Sequence, residues 1–345
     1  MHCHLLLPDL FWPERDFPDI YRELAVPALE RLLAKGRQHM DDASAGAVST
    51  EAWLCGRFGV DKQADWPAAP YGVLADGGDP RGYYWLRADP VHLKLQGNQL
   101  VLADSGMFSL SQEEAERLVD SLNAHFSGDD LAFCPLRPER WYLRVEKAPA
   151  LETTALPDAA GRSVDERLPR GADASSWRAR MNEVQMLLHG HAVNEERERA
   201  GKLAINSVWL WGGGKLADEA PAPFNAVWAR DPLAAGLAQA RRIAARDLPD
   251  TAPDMLRASA DTGVSLVLLD ALRSAAQYGD AHRWREALVS LERDWFAPLL
   301  QALMEERVGM LSLHALGPQG TLSVETTRGD LRRFWRRAPP LAEYA

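Results

Sequence analysis

The sequence predicts an α/β protein whose mainly parallel sheet is interrupted by an inserted α+β unit. Three patterns carry this. After Gly214, short apolar runs alternate with helical periodicity: a strand at 225–228, an Ala-rich helix over 233–245, an apolar run at 264–269 and a long helix over 282–305. Strands that are apolar along their length and separated by helices suit a parallel sheet covered on both faces. Between Tyr83 and about residue 202 the pattern changes to strands joined by tight turns and a helix opened by the capping box Ser111-Gln-Glu-Glu114. Residues 4–7 read as a first strand, cut off by Pro8-Asp9.

In chain order, a helix is expected over 20–35, with Leu24, Leu29, Leu32 and Leu33 at helical spacing and a stop at Gly36. Pro27 either kinks that helix or starts a new one, because proline lacks the N–H and clashes with the preceding turn. Residues 41–49 read as a polar loop and 51–58 as a helical piece ended by Gly59. The turn-rich stretch from Trp66 to Pro80 reads as a connection into a new unit. Strands follow at 84–87, 91–95 and 99–102, with Gly97-Asn98 as a turn. The capped helix carries Ala115, Leu118, Val119, Leu122 and Phe126 on one side. A strand at 141–145, a loop at 157–171 and a helix at 175–189 complete the insertion. Residues 309–316 and 321–326 flank Gly317-Pro-Gln-Gly320 as a hairpin. The core is thus read as 1–82 with 203–345, and the insertion as 83–202.

The chain has 345 residues, three cysteines and a net charge of −10. An odd number of widely spaced cysteines (Cys3, Cys55, Cys134) suits thiols in a reducing compartment. No apolar run approaches the ~18 residues needed to cross a bilayer, and the start lacks a basic leader, so a cytoplasmic protein without a membrane partner is expected. The acidic balance argues against nucleic acid, whose affinity rests on clustered Lys and Arg. One exception is the tail Arg328, Arg332, Arg333, Arg336 and Arg337, expected as a basic helix over 330–337 that could meet an acidic protein partner.

The densest motif begins at His191-Ala-Val-Asn194-Glu-Glu-Arg197 and continues through Gly201-Lys202-Leu-Ala-Ile-Asn206-Ser-Val-Trp209-Leu-Trp211-Gly212-Gly213-Gly214. A strand that ends on glycines lets backbone amides approach a ligand closely, so an anion cradle and a close-packed turn are both open readings. A nucleotide P-loop is excluded, since Leu216 follows Lys215 where Ser or Thr is required. This stretch resembles His-Pro-Val-Asn-x-x-Arg, Gly-Lys-x-x-Asn-x-x-Trp-Leu-Trp-Gly-x-Gly of the archaeal-type cofactor-independent phosphoglycerate mutases, with Ala192 in place of the proline. Within that group the chain looks closest to the bacterial RpfE-type regulatory proteins. The resemblance implies an alkaline-phosphatase-like core split by a second domain, and it implies Asn194, Arg197, Lys202, Asn206 and the three glycines as ligand-binding positions.

Enzymes of that superfamily use two metal ions and a nucleophilic Ser or Thr. The metals acidify the nucleophile and neutralise the transferring phosphoryl group. The nucleophile motif is matched best by Ser49-Thr50-Glu51-Ala52, with Ser49 at the nucleophile position, and Asp9 is the candidate for the first metal-ligand Asp. Anchored on Gly279-Asp280, the second half of the metal site reads Ala271-Leu-Arg273-Ser-Ala-Ala-Gln277-Tyr-Gly-Asp280, so Arg273 and Gln277 stand where ligand Asp and His should be. Leu313-His314 is the nearest echo of the later Asp-His pair. A guanidinium has donors only and stays protonated, so it cannot ligate a cation. The sequence therefore predicts a catalytically degenerate mutase-like protein with no metal and no cofactor, with a regulatory or anion-binding role. In that reading Arg273, Asp9 and the amides of Gly212 to Gly214 hold a phosphorylated or carboxylated small molecule. Two readings compete: Arg273 pairing with Asp270 or Asp280 on a helix surface, and an active mutase or phosphotransferase built on Ser49.

Overall fold

A computed structural model describes residues 1–14, 17–42, 48–218, 220–259, 263–317 and 320–345. Its strands are β1 (His2–Pro8), β2 (Arg37–Asp42), β3 (Tyr84–Gln96), β4 (Gln99–Ala103), β5 (Leu131–Arg137), β6 (Arg140–Val145), β7 (Ser207–Gly214), β8 (Ala226–Trp228), β9 (Ala244–Arg246), β10 (Val264–Leu268), β11 (Met310–Gly317) and β12 (Gly320–Thr327). The chain forms two compact units, Met1–Phe58 with Ala220–Ala345, and Gly59–Glu219. The insertion is thus longer at both ends than the 83–202 read from the pattern. The motif strand β7, with its glycines, belongs to the insertion and not to the core.

The first unit holds a seven-stranded sheet in the order β2-β12-β11-β1-β10-β8-β9. β1 pairs in parallel with β10 and β11, and β8 in parallel with β10 and β9, while β12 runs antiparallel to β11 and β2. The sheet is mainly parallel on the side of β1 where the sequence placed the helical crossovers. Cys3, Leu5 and Leu7 on one face of β1 join a core with Leu29, Leu32 and Leu33 of helix Pro27–Lys35 and with Trp284, Leu288, Leu299 and Leu303. Pro27 starts its helix instead of kinking a longer one, as fits a residue with no N–H to satisfy. The next two amides, of Ala28 and Leu29, donate to the buried Glu292 carboxylate at 2.7 and 3.1 Å. Glu292 opens a π-helical turn, Glu292–Phe296, that divides the expected long helix into Ala281–Leu291 and Ala297–Met304. A carboxylate at a helix N-terminus is favoured by the dipole and by the orphan donors there.

The second unit holds the order β4-β3-β6-β5, with β7 also paired to β3. The two strands expected at 84–87 and 91–95 are one strand, β3, running through Pro90. Helix Gln112–His125 carries the expected capping box and buries Ala115, Leu118, Val119 and Leu122 against Trp141, Leu143, Val184 and Val208. Helix Ala68–Ala75, in the stretch read as a connection, is almost wholly buried, so it has no polar face from which a period could be read. β5 and the three-residue β9 were also absent from the sequence reading. Within 330–337 only Asp330–Arg332 is helical, as a 3-10 turn, so the basic helix expected there is not formed. The β11–β12 hairpin is present, but Pro318 and Gln319 of its turn, like 43–47 of the expected polar loop, lie outside the described residues. No described helix is long and apolar enough to cross a membrane.

Candidate functional site

Parallel strands deliver the residues that follow them to one end of a sheet, which is where open α/β sheets build sites. Here Asp9 follows β1, Asp231 follows β8 and Asp270 follows β10. Asp9 adopts φ +57, a left-handed conformation uncommon outside glycine, and its carbonyl accepts the Trp284 indole N–H at 2.9 Å. Asp231 caps helix Pro232–Ala240 through the Ala234 amide at 2.9 Å. Helix Thr50–Arg57 adds Thr50 and Glu51, both buried.

Into this group projects Arg273, from the start of helix Arg273–Gln277. Its side chain is 17% exposed, its Nε lies 4.0 Å from Asp9 Oδ2, and its Nη2 donates to the Thr50 hydroxyl. Burial alone would pull the guanidinium pKa down, but Glu51, then Asp231, Asp9 and Asp270, outweigh it and hold the group protonated. Asp270 moves the other way: burial raises its carboxyl pKa, Asp231 adds to the rise, and Arg273 opposes it. Arg273 is not on an open helix surface, and of its two expected partners only Asp270 acts on it. Asp280 is engaged with Arg283, capping its amide at 3.0 Å and facing its Nε at 3.4 Å. Asp270 is coupled to it by charge and by a backbone bond, the Arg273 amide donating to the Asp270 carbonyl at 3.0 Å.

This geometry defines what the site can do chemically. A fixed cation stands among four carboxylates, where it offsets their mutual repulsion without offering a coordination position. The residues do not fit a two-metal centre, because a guanidinium stands beside Asp9 and interacts with the other acids where a ligand is needed, and it has no lone pair to give. Among the described residues no group of three or more His, Cys, Asp or Glu is placed to hold a metal. An incoming phosphate would meet an excess of carboxylates around Arg273, which weakens the anion-pocket expectation at this residue. Ser49 sits at the N-cap, where its hydroxyl accepts from the Ala52 amide at 3.1 Å, and the hydroxyl bonded to Arg273 is that of Thr50. Thr50, Glu51, Asp231 and Asp270 were missed as a group. The available signal was an Asp within three residues of the end of each of three parallel strands.

The other expected ligand residues lie in the second unit, and their polar atoms are spent on the protein itself. Asn194 donates to Leu188 O and Ile205 O at 2.7 and 2.8 Å and accepts from the Ile205 amide at 2.8 Å. Arg197, 1% exposed, donates to Leu203 O, Glu114 Oε1 and Ser109 O at 2.8, 3.0 and 2.9 Å. Asn206 copies a backbone peptide, accepting from the Leu93 amide and donating to the Leu93 carbonyl, and so continues the β7–β3 ladder by one step. Lys202 is exposed. The glycines are the last three residues of β7, as the sequence suggests, and they are buried against neighbours. A Cβ at Gly213 would stand 2.5 Å from Tyr84 Oη and 2.7 Å from Leu86 Cδ2, and the Gly213 amide donates to the Asp65 carboxylate at 3.4 Å. The motif is therefore a clamp for the insertion, and the close-packed reading of its glycines is the one observed. The indole N–H groups of Trp209 and Trp211 serve the same end, donating to Thr154 O and to Asp89 at 2.8 and 2.7 Å. Asp89 is the partner of buried Arg87, which lies between the rings of Tyr142 and Trp211.

No family model matches the chain. Curated relatives do. A 2,3-bisphosphoglycerate-independent phosphoglycerate mutase of Methanosarcina mazei is 31% identical over 137 residues, 37% of this chain and 34% of that protein. A probable enzyme of the same name in Geobacter sulfurreducens is 31% identical over 132 residues, 38% and 33% of the two chains. The chain is similar to cofactor-independent phosphoglycerate mutases. It matches about a third of the length of these relatives. Among solved structures, the PH0037 protein of Pyrococcus horikoshii superposes with a TM-score of 0.58 over 94% of this chain and 86% of its own, at 13% identity. The two share a fold.

Proposed function

We propose that this protein is a phosphoglycerate-mutase-like chain, with an alkaline-phosphatase-like core, that no longer transfers phosphoryl groups and acts by binding, in a regulatory role of the RpfE type in the cytoplasm. The observation that carries the proposal is Arg273 among Asp9, Glu51, Asp231 and Asp270. Phosphoryl transfer of this class needs its cations where the carboxylates converge, to acidify the nucleophile and neutralise the migrating group. A guanidinium can offset phosphoryl charge but cannot coordinate and so acidify a hydroxyl, and Ser49 is held as a helix cap. The support for a bound phosphorylated or carboxylated metabolite is correspondingly weak at this residue, since Arg273 is already compensated.

The test is elemental analysis of the purified protein together with a coupled assay for interconversion of 2- and 3-phosphoglycerate. The expected result is no stoichiometric Mn, Zn or Mg and no turnover. About two bound metals per chain, with turnover abolished in Ser49→Ala, would establish the active-mutase alternative instead.

A further inference from the structure

The two aromatic side chains most open to solvent are neighbours in sequence. Phe334 is 87% and Trp335 68% exposed, and their rings stand edge to face at 5.2 Å. They occupy the centre of Arg332-Arg333-Phe334-Trp335-Arg336-Arg337. The backbone folds into a turn there, the Phe334 amide donating to Arg332 O at 2.8 Å and the Arg336 amide to Arg333 O at 3.1 Å. Its base is pinned to the end of helix Pro27–Lys35. Lys35 Nζ donates to the carbonyls of Arg333 and Arg336, and Arg336 Nη1 donates to Gly36 O at 2.7 Å. Arg333 is held by Asp330 at 2.8 Å, and Asp330 by Thr327. The rings are thus held outward by an anchored turn instead of folding back onto the unit.

The surroundings are basic although the chain is acidic overall. Lys35, Arg332, Arg333, Arg336 and Arg337 gather at the turn, and Arg37 also acts on Asp330, the carboxylate already engaged by Arg333. Charges more than ~8 Å apart are largely screened at physiological salt, so this patch, not the net charge of −10, governs contact at the apex.

We propose that this turn docks the protein peripherally on an anionic lipid surface, with Phe334 and Trp335 entering the boundary between headgroups and acyl chains and the flanking arginines meeting lipid phosphates. Aromatic side chains favour that boundary, and each arginine near such a surface adds roughly fivefold in affinity. A plane can satisfy cations on both sides of a convex apex at once. A protein pocket would need an apolar pit with carboxylates on both rims. A second copy meeting tip to tip would bring like charges together. This is docking on a surface, distinct from spanning it, and it revises the expectation that no membrane is involved.

The experiment is flotation of the full chain with phosphatidylcholine vesicles containing roughly a third phosphatidylglycerol, against phosphatidylcholine alone. Binding is expected to the anionic vesicles only and to weaken as salt rises. It should fall at least about tenfold in Phe334→Ser/Trp335→Ser and in Arg332→Glu/Arg337→Glu, with melting temperatures unchanged, since these side chains are exposed. The proposal is overturned if wild type ignores anionic vesicles at low salt, binds neutral ones equally well, or binds undiminished in both variants. Wild type that ignores the vesicles but is retained by polyglutamate in a manner lost in both variants would give the turn to an acidic protein instead.

Discussion

The Arg273 guanidinium stands 4.0 Å from the Asp9 carboxylate, beyond the carboxyl ends of the parallel strands β10 and β1, and donates to the Thr50 hydroxyl. Removing it leaves buried acids uncompensated. Arg273→Met should therefore destabilise the protein at pH 7 by about 3 kcal/mol in urea unfolding. Arg273→Lys should lose less, because the charge remains. Lowering the pH should shrink the loss, since Asp270, its pKa raised by burial, takes up a proton before an ordinary carboxyl does. A loss independent of pH would mean that packing, not charge, is what Arg273 supplies.

Arg197 and Glu114 make the corresponding test in the insertion. Arg197 is 1% exposed and all three of its nitrogens are engaged, so Arg197→Ala strands a carboxylate and two carbonyls. The expected cost is ~3–5 kcal/mol. Lys202→Ala, five residues on at an exposed position, should change stability by less than ~0.5 kcal/mol. If the pair acted as ligand contacts, Arg197→Ala would instead fold with near-normal stability.

What the sequence made legible follows from which signals are local. The parallel strands, the Ser111 capping box and the start at Pro27 are written in short windows, and each is present. Arg273 as the odd residue in a metal-site pattern was visible too, because an arginine there changes the chemistry outright. Asp9 and Asp270 were named beside it, but Glu51 and Asp231 were not, since the four meet only through strand order. The clamp was misread for a physical reason: Asn194, Arg197 and Asn206 are polar residues in a motif, and polarity alone does not say whether a side chain faces a ligand or a buried carbonyl. Helix Ala68–Ala75, buried nearly all round, left no amphipathic trace.

The glycines of β7 give a prediction that separates packing from anion binding. Gly213→Ala must displace Tyr84 Oη or Leu86, and Gly212→Ala must hold φ +64 with Ala68 Cβ at 3.0 Å from the new methyl. Each should lower stability by ~1–3 kcal/mol, read as a fall in melting temperature. A cradle exposed for a ligand would accept alanine with little change in the melting temperature of the unliganded protein.

The last prediction concerns acid. His314 on β11 lies with its Nε2 2.9 Å from His4 Nδ1 on β1, and with its Nδ1 2.9 Å from Ser323 Oγ. His2 lies tilted against His4 with ring centroids 4.1 Å apart and bonds Ser312, and the charge of Arg57 acts on the same cluster. Burial, then the neighbouring His4 and Arg57, push the His314 pKa down to about 3; burial, then His2 and Arg57, push that of His4 to about 4. Both values lie below the ordinary pKa of about 6.5 that the unfolded chain retains. Between these limits the unfolded chain binds more protons than the folded one, so stability is fully present above about pH 6.5 and is lost as pH falls toward 4 and then 3. The total is on the order of a few kcal/mol. His314→Gln keeps hydrogen-bonding groups for Ser323 and His4 but cannot titrate, so its urea midpoint should fall less steeply across that window. Imidazole resonances give the direct reading: a His314 signal that titrates near the ordinary value, or a variant whose acid limb is as steep as wild type, would remove the histidine cluster from the account of acid sensitivity.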